Sequence, residues 1–211
     1  KITYLAIIVL LAMLLTACQG KDDPGIVLFS DDFSNNTSGW DQKADSSEYK
    51  TGYQDGSYQI IINKPQSNAW GNPGTLSFTD VRVEVDATKN GGSDDNDYGI
   101  ICRYRDGENF YFAEISSDGY YGIIKMSGGI YNLIGYKELQ RSEEIILGGA
   151  TNHIRFDCIG QTLTLYVNSV QIDQQSDAEF LAGNVGLIAG TYDEIGTDIL
   201  FDNFFVYQPQ P

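Results

Sequence analysis

Strict alternation is the feature that most restricts this chain. From Val81 to Thr88 the residues run VRVEVDAT, apolar at Val81, Val83, Val85 and Ala87 and polar at Arg82, Glu84, Asp86 and Thr88. An extended strand with two unlike faces reads that way, because successive side chains point to opposite sides of a pleated backbone. Other short apolar segments recur along the chain: SYQIIIN, TLSFT, YGIICRY, NFYFAEIS, YYGIIKM, HIRFDC, TLTLYVN, NVGLIAG and ILFDNFFVY. Turn-forming clusters separate them, among them QDG at 54–56, NGGSDDND at 90–97, RDGEN at 105–109, SDG at 117–119 and SGG at 127–129. Such punctuation predicts an all-β, antiparallel β-sandwich or barrel. NFYFAEIS and GIICRY are apolar on both faces, which suits central strands covered on both sides or strands lining a groove of partly exposed rings. The acidic run at 94–97 reads as a solvated hairpin. The one helix candidate, Lys137 to Leu147, has no convincing apolar stripe and ends at Gly148-Gly149, which leaves room for at most one or two turns.

Composition narrows the class of partner. Twenty-nine acidic residues against 13 basic ones give a net charge of −16, which repels phosphate polymers and excludes nucleic acid. At the start, KITYLAIIVLLAMLLTAC sets one basic residue before an apolar run from Tyr4 to Leu15 that is too short for a comfortable membrane span. Leu15-Thr16-Ala17-Cys18 resembles the bacterial lipobox. The resemblance implies a signal peptide over residues 1–17, cleavage before Cys18 and acylation of its thiol; an uncleaved anchor helix or an ordinary signal is the alternative. It also implies a lipid-anchored protein of the bacterial cell envelope, exposed to the periplasm or exterior and touching membrane through its lipid only. Residues 18–25 then form a lipidated tether, and residues 26–208 a single sandwich domain.

With Cys18 assigned to lipid, Cys102 and Cys158 remain. An even pair of thiols in an exported protein favours a disulfide, with two buried free thiols as the alternative. Neither has the surroundings of a catalytic thiol: the only histidine, His153, lies five residues before Cys158, and on a strand that odd separation points the two side chains to opposite faces.

Longer segments carry a second resemblance. LFSDDFSNNTSGW (28–40), YQDGSYQI (53–60), DYGIICRYRDGENFYFAEISSDGYYGIIK (97–125), LTLYVNSVQI (163–172), GNVGLIAG (183–190) and FDNFFVY (201–207) resemble the concanavalin A-like jelly rolls. Within that group they are most similar to bacterial lipoproteins and to laminin G and 3-keto-disaccharide hydrolase-like domains. The resemblance implies a jelly roll in which the opening Asp-Asp-Phe and closing Phe-Asp-Asn-Phe strands pair, with Trp40 packed over the sandwich end. Glucanases of this superfamily carry Glu-x-Asp-x-x-Glu, whose two glutamates act in retaining hydrolysis. Here Glu84 and Asp86 match, but Lys89 stands where the second glutamate belongs. That departure favours a non-catalytic module over a glycoside or 3-keto-glycoside hydrolase. Acids drawn from separate strands, such as Glu114 and Asp118, keep the enzyme alternative open.

Other chemistries lack their parts. A Ser-His-acid triad would have to use His153, zinc needs more nitrogen or thiolate ligands, and no phosphate-binding glycine loop is present. Calcium is the one metal the composition suits; the jelly-roll resemblance implies a structural site at Asp32, the Gly56 turn and Asp202. Sugar rings need aromatic platforms beside hydrogen-bonding groups. Trp70, read as a loop residue, with Tyr120, Tyr121, Tyr131 and Tyr136 around glycine-rich turns, supplies rings, and Arg103, Arg105 and Glu84 supply polar contacts. The expected partner is a glycan or an extracellular protein. The leader reading has a direct check: mass spectrometry of protein made in a bacterial host should find an acylated N-terminal Cys18. Cys18→Ser should abolish that acylation and release the protein from the membrane fraction.

Overall fold

The computed structural model describes residues 25–44 and 46–209. The leader, Cys18 and the tether up to Pro24 lie outside the described residues. The described residues form strands and no helix. In chain order these are β1 (Ile26–Asp31), β2 (Tyr49–Gln54), β3 (Ser57–Ile62), β4 (Ser67–Gly71) and β5 (Val81–Gly91). Next come β6 (Asn96–Asp106), β7 (Asn109–Ile115), β8 (Tyr120–Ser127), β9 (Ile130–Leu133) and β10 (Gln140–Arg141). The last are β11 (Thr151–Ile159), β12 (Thr162–Val167), β13 (Val170–Ser176), β14 (Asn184–Thr191) and β15 (Thr197–Gln208).

They pair into two antiparallel sheets. The eight-stranded sheet runs β13-β12-β11-β5-β15-β3-β2, with β1 also bonded to the second half of β15. The seven-stranded sheet runs β10-β8-β7-β6-β14-β4, with β9 bonded to β8. The opening and closing strands meet as expected, Asp31 lying opposite Phe204.

The alternation in β5 is realised in the packing. Val81, Val83, Val85 and Ala87 are buried in the core, where each valine contributes about 1.5–3 kcal/mol relative to exposure. Ile154, Phe156, Leu163 and Leu165 join them from the same sheet, and Tyr98, Ile100, Ala113, Ile115, Ile123 and Leu187 face them from the other. Trp40 is buried over one end of the core, with its ring 5.4 Å from Phe33 and 4.9 Å from both Tyr58 and Phe204.

Three expectations are corrected. Thr75–Thr79 forms no strand; Phe78 makes only a single bridge to Gly183, because its neighbours have no adjoining edge on which to continue a ladder. Residues 137–147 form bends, a turn and the two-residue β10 rather than a helix, as follows from the missing apolar stripe. Trp70 lies on β4, an edge strand, and not in a loop.

The disulfide is present and joins Cys102 of β6 to Cys158 of β11, one from each sheet, across 56 residues of sequence. His153 and Cys158 face opposite ways, the cysteine into the core and the histidine outward. Replacing both cysteines by alanine should lower unfolding stability by about 4 kcal/mol if chain entropy dominates. Chemical denaturation is the measurement, with a larger m-value expected because the unbridged unfolded chain exposes more surface, and the variant should keep its native far-ultraviolet spectrum.

Candidate functional site

The outward side chains of the two sheets differ in kind. On the eight-stranded sheet, charges meet partners. Arg155 grips Asp157 through Nε at 2.8 Å and Nη2 at 2.5 Å, and its guanidinium lies 4.1 Å from the Tyr166 ring centre. Arg82 approaches Asp157 at 3.6 Å and Glu84 at 4.0 Å. His153 sits between Asp86 (Nδ1 to Oδ1, 2.7 Å) and Glu84 (Nε2 to Oε2, 3.6 Å), and these carboxylates, Glu84 foremost, raise its pKa. Glu84 and Asp86 are therefore members of a structural charge network.

The seven-stranded sheet presents a different outer face. At one end Ile101, Phe110, Phe112, Ile124 and Ile188 form a second apolar cluster, fully buried although it lies outside the sandwich core. Trp70, Tyr104, Met126 and Leu133 cover it, with the Trp70 and Tyr104 rings 5.6 and 5.5 Å from Phe110. Both faces of NFYFAEIS and GIICRY are thus accounted for.

Beside this cluster lie two buried acids. Pairing sets Glu114 of β7 opposite Gly99 of β6 and Gly122 of β8, and sets Asp97 of β6 opposite Gly190 of β14. A Cβ at Gly190 would fall 2.2 Å from the Asp97 carboxylate, so only glycine there leaves the acid its place. Glu114 is 1% exposed and Asp97 5%, and their carboxyl groups are in hydrogen-bonding contact. Tyr131 on β9 donates its hydroxyl proton to Glu114 Oε1 at 2.6 Å, and Tyr192 lies close enough to Asp97 to favour its ionised form. Asp97 Oδ1 and Glu114 Oε2 find no donor within the protein. Burial drives the Asp97 pKa up to about 7, and burial followed by the nearby Asp97 charge drives Glu114 well above its ordinary value. The same acids, after burial, raise Tyr131 and Tyr192. Two carboxyls in contact inside a low-dielectric site hold a proton between them at neutral pH.

The reading of residues 94–97 as a solvated hairpin fails at Asp97, which turns inward at the start of β6. The residues expected to bind sugar are not brought together. Trp70 and Tyr120 belong to the seven-stranded sheet, whereas Glu84 lies on the opposite one. Tyr121 is buried toward the core, and Arg103 is 1% exposed, donating Nη1 to the Phe180 carbonyl at 2.9 Å. Arg105 covers the Phe180 ring at 4.8 Å, and Tyr136 is exposed in the segment after β9. Glu114 is in the site, but its partner is Asp97, not Asp118, whose carboxylate bonds to Ser116. Asp32 accepts a bond from the Ser34 N–H in the turn after β1, and Asp202, at a bulge within β15, accepts one from the Asn203 N–H. Among the described residues no three His, Cys, Asp or Glu side chains converge as a metal centre.

No protein-family model matches the chain, and no curated protein matches it. Solved structures do. The carbohydrate binding module CBM66 from Bacillus subtilis superposes with a TM-score of 0.56 at 20% identity, covering 82% of this chain and 98% of that one. A protein of unknown function with a galectin-like fold, also from Bacillus subtilis, gives 0.62 at 11% identity over 88% and 97%. A Bacillus licheniformis beta-glucanase gives 0.61 at 11% identity over 88% and 99%. The chain is a concanavalin A-like jelly roll. At these identities the likeness shows the fold alone.

The acid pair makes stability depend on pH. Its proton is held in the fold and released on unfolding, so the contribution is full below about pH 4, the range of a free carboxyl. It is lost as pH rises through about 7, where Asp97 ionises. Asp97→Asn should flatten this decline and raise the melting temperature at pH 8 by about 3–6 °C, equivalent to roughly 1–2 kcal/mol. His153, raised by Glu84 and Asp86, gives a decline of the same sign that the variant leaves intact. Thermal denaturation of both proteins from pH 5 to 8 separates the two.

Proposed function

We propose that this chain is a glycan-binding module that takes its ligand on the outer face of the seven-stranded sheet, and that lipid on Cys18 holds it at the bacterial envelope. The observation that carries the reading is the juxtaposition on one face of half-buried rings and a buried hydrogen-bonding pair. Trp70 shares a cross-strand row with Ile188, Gly99 and Glu114. The indole therefore stands three strands from the carboxyl, roughly 14 Å at ordinary strand spacing, with the buried Ile188 and Gly99 between them. A pyranose has an apolar C–H face rimmed by hydroxyls, and such a row offers one group for each. The opposite sheet has its charges already paired, so it offers fewer free acceptors. The likeness to a carbohydrate binding module is consistent with this choice.

Hydrolysis fits the geometry less well. Retaining enzymes set their carboxyls about 5–5.5 Å apart and inverting ones about 6.5–9.5 Å, with the scissile bond between them. Glu114 and Asp97 touch, which leaves no place for a glycosidic oxygen. Affinity electrophoresis of the purified protein through a panel of bacterial and plant polysaccharides tests the proposal. At least one polysaccharide should retard it. Trp70→Ala and Tyr131→Ala should weaken that retardation about tenfold or more, the scale of losing a stacking contact or a central hydrogen bond. Glu84→Gln on the other sheet should leave it unchanged. Retardation by none, or release of reducing ends that disappears in Glu114→Gln, overturns the proposal.

A further inference from the structure

β1 departs from the alternation seen in β5. Ile26, Val27 and Leu28 follow one another and all three face solvent, between 42% and 67% exposed. A bulge is the cause: Val27 lies opposite Tyr207 and Phe29 opposite Val206, so Leu28 has no place in the ladder. Leu28 lines an open groove together with Phe78, Thr79, Asp80, Ile159 and Pro209, and Ile159 is 40% exposed. The surface here is free of net charge. Residues 26–30, 75–79, 159–164 and 203–209 contain no acid and no base, in a chain of net charge −16. Asp80 is the one charged group among the described residues lining the groove. It is already matched, accepting the Gly160 N–H at 2.8 Å and lying 3.6 Å from Arg103 Nη2. The far end of the sandwich, where β11 and β15 begin, also exposes apolar residues, Ile146, Leu147 and Ile195. There they adjoin Glu143, Glu144, Asp193 and Glu194. An anionic surface repels that end and tolerates the other.

Resting on the reading of Cys18 as lipidated, we infer that the β1 end of the sandwich seats on the bilayer that holds the lipid, with Ile26, Val27, Leu28 and Ile159 entering its interfacial region. Chain length favours this end. Ile26 follows Cys18 by eight positions, so the link between them spans at most about 26–29 Å. Ile26 opens β1 opposite Gln208, the last residue of β15, and β15 sets the far end of the sandwich roughly 35–40 Å away. The anchor therefore holds the charge-free end near the headgroups, at high effective concentration of membrane. The acyl chains supply the attachment and the patch supplies orientation. None of its residues belongs to the seven-stranded sheet, so the outer face of that sheet stays open. Contact with the membrane then extends beyond the lipid.

Fluorescence of the full acylated chain in vesicles of phosphatidylethanolamine and phosphatidylglycerol tests this. Leu28→Trp and Ile195→Trp each add an indole, one at either end, and the unsubstituted protein gives the background of Trp40 and Trp70. Lipids brominated in the upper acyl chain should quench the emission added by Leu28→Trp about twofold or more, as for a side chain at the acyl boundary. The emission added by Ile195→Trp should not change. Val27→Glu together with Ile159→Glu, on the Leu28→Trp background, should abolish the quenching. Equal quenching at the two ends, or none in Leu28→Trp, overturns the inference. Emission from Leu28→Trp that is blue-shifted yet unquenched means that protein covers the groove, the tether or a second copy, and overturns it as well. Mass spectrometry of the same preparation separates the two readings. An unacylated Cys18 removes the anchor and the inference with it, whereas an acylated chain without quenching removes only the docking.

Discussion

A strand can bury both faces only when something other than the opposing sheet covers the second one. β7 is in that position: Tyr111, Ala113 and Ile115 enter the core, while Phe110, Phe112 and Glu114 point the other way and are equally shielded. The covering comes from the edges of the same sheet, with Trp70 from β4 and Leu133 and Tyr131 from β9 reaching over the middle strands. Much that is distinctive in the molecule follows from this arrangement. It turns an exposed sheet face into a second, shallow interior, and an acid placed in that interior behaves as a buried acid. Dehydration sets the state of Glu114 and Asp97, and the hydroxyls of Tyr131 and Tyr192 meet only part of their need.

The two outer faces show how differently one composition can be deployed. Both carry acids on central strands. On the eight-stranded sheet Glu84, Asp86 and Asp157 meet Arg82, Arg155 or His153 within 4 Å or so, across registers such as Arg155 opposite Glu84 and His153 opposite Asp86. Cross-strand pairs of this kind hold a sheet together and use up its acceptors. On the seven-stranded sheet the positions opposite Glu114 and Asp97 are glycines. Glycine adds nothing to sheet stability and weakens a strand interior. Here each makes room for something in the protein: Gly190 for the Asp97 carboxylate, Gly99 for the Ala113 carbonyl of the adjoining strand, and Gly122 for Leu133 and Leu139.

What could be read from the sequence was what depends on near neighbours in the chain. The burial of Val81, Val83, Val85 and Ala87 follows from period-two alternation, and the two covered faces of β6 and β7 were legible because apolar residues fill both parities of Ile100–Cys102 and Phe110–Ala113. The inter-sheet bridge followed from the parity of the thiols. The acid pair was hidden because it depends on register. If the β6–β7 hairpin, closed by Asp106 opposite Asn109, ran without irregularity, Glu114 would lie opposite Ile101. A bulge between Cys102 and Asp106 shifts the pairing, so that Glu114 meets Gly99 and Asp97 comes within reach. Arg103 sits in that bulge with φ of 54°, a left-handed conformation that arginine seldom adopts. Its sequence context, Cys-Arg-Tyr-Arg, reads as uninterrupted strand. Trp70 was misplaced for a related reason: Ser-Asn-Ala-Trp-Gly carries turn-forming residues, and only pairing with β14 makes it a strand.

The bulge also explains why an arginine occupies the interior. Once the backbone at residue 103 turns left-handed, its side chain is directed under the end of the sandwich, where the Phe180 carbonyl accepts from it and Asp80 lies 3.6 Å from Nη2. A lysine there could bond the carbonyl but could not reach Asp80 at the same time with a planar, forked head. The register that assembles Glu114 and Asp97 on the outer face is therefore stabilised from the inner side of the same strand, by a cation that never faces the acids. Charge balance inside β6 and charge excess on its outer surface are consequences of one backbone irregularity. The charge excess at the acid pair is relieved by the proton that the two carboxyls hold between them.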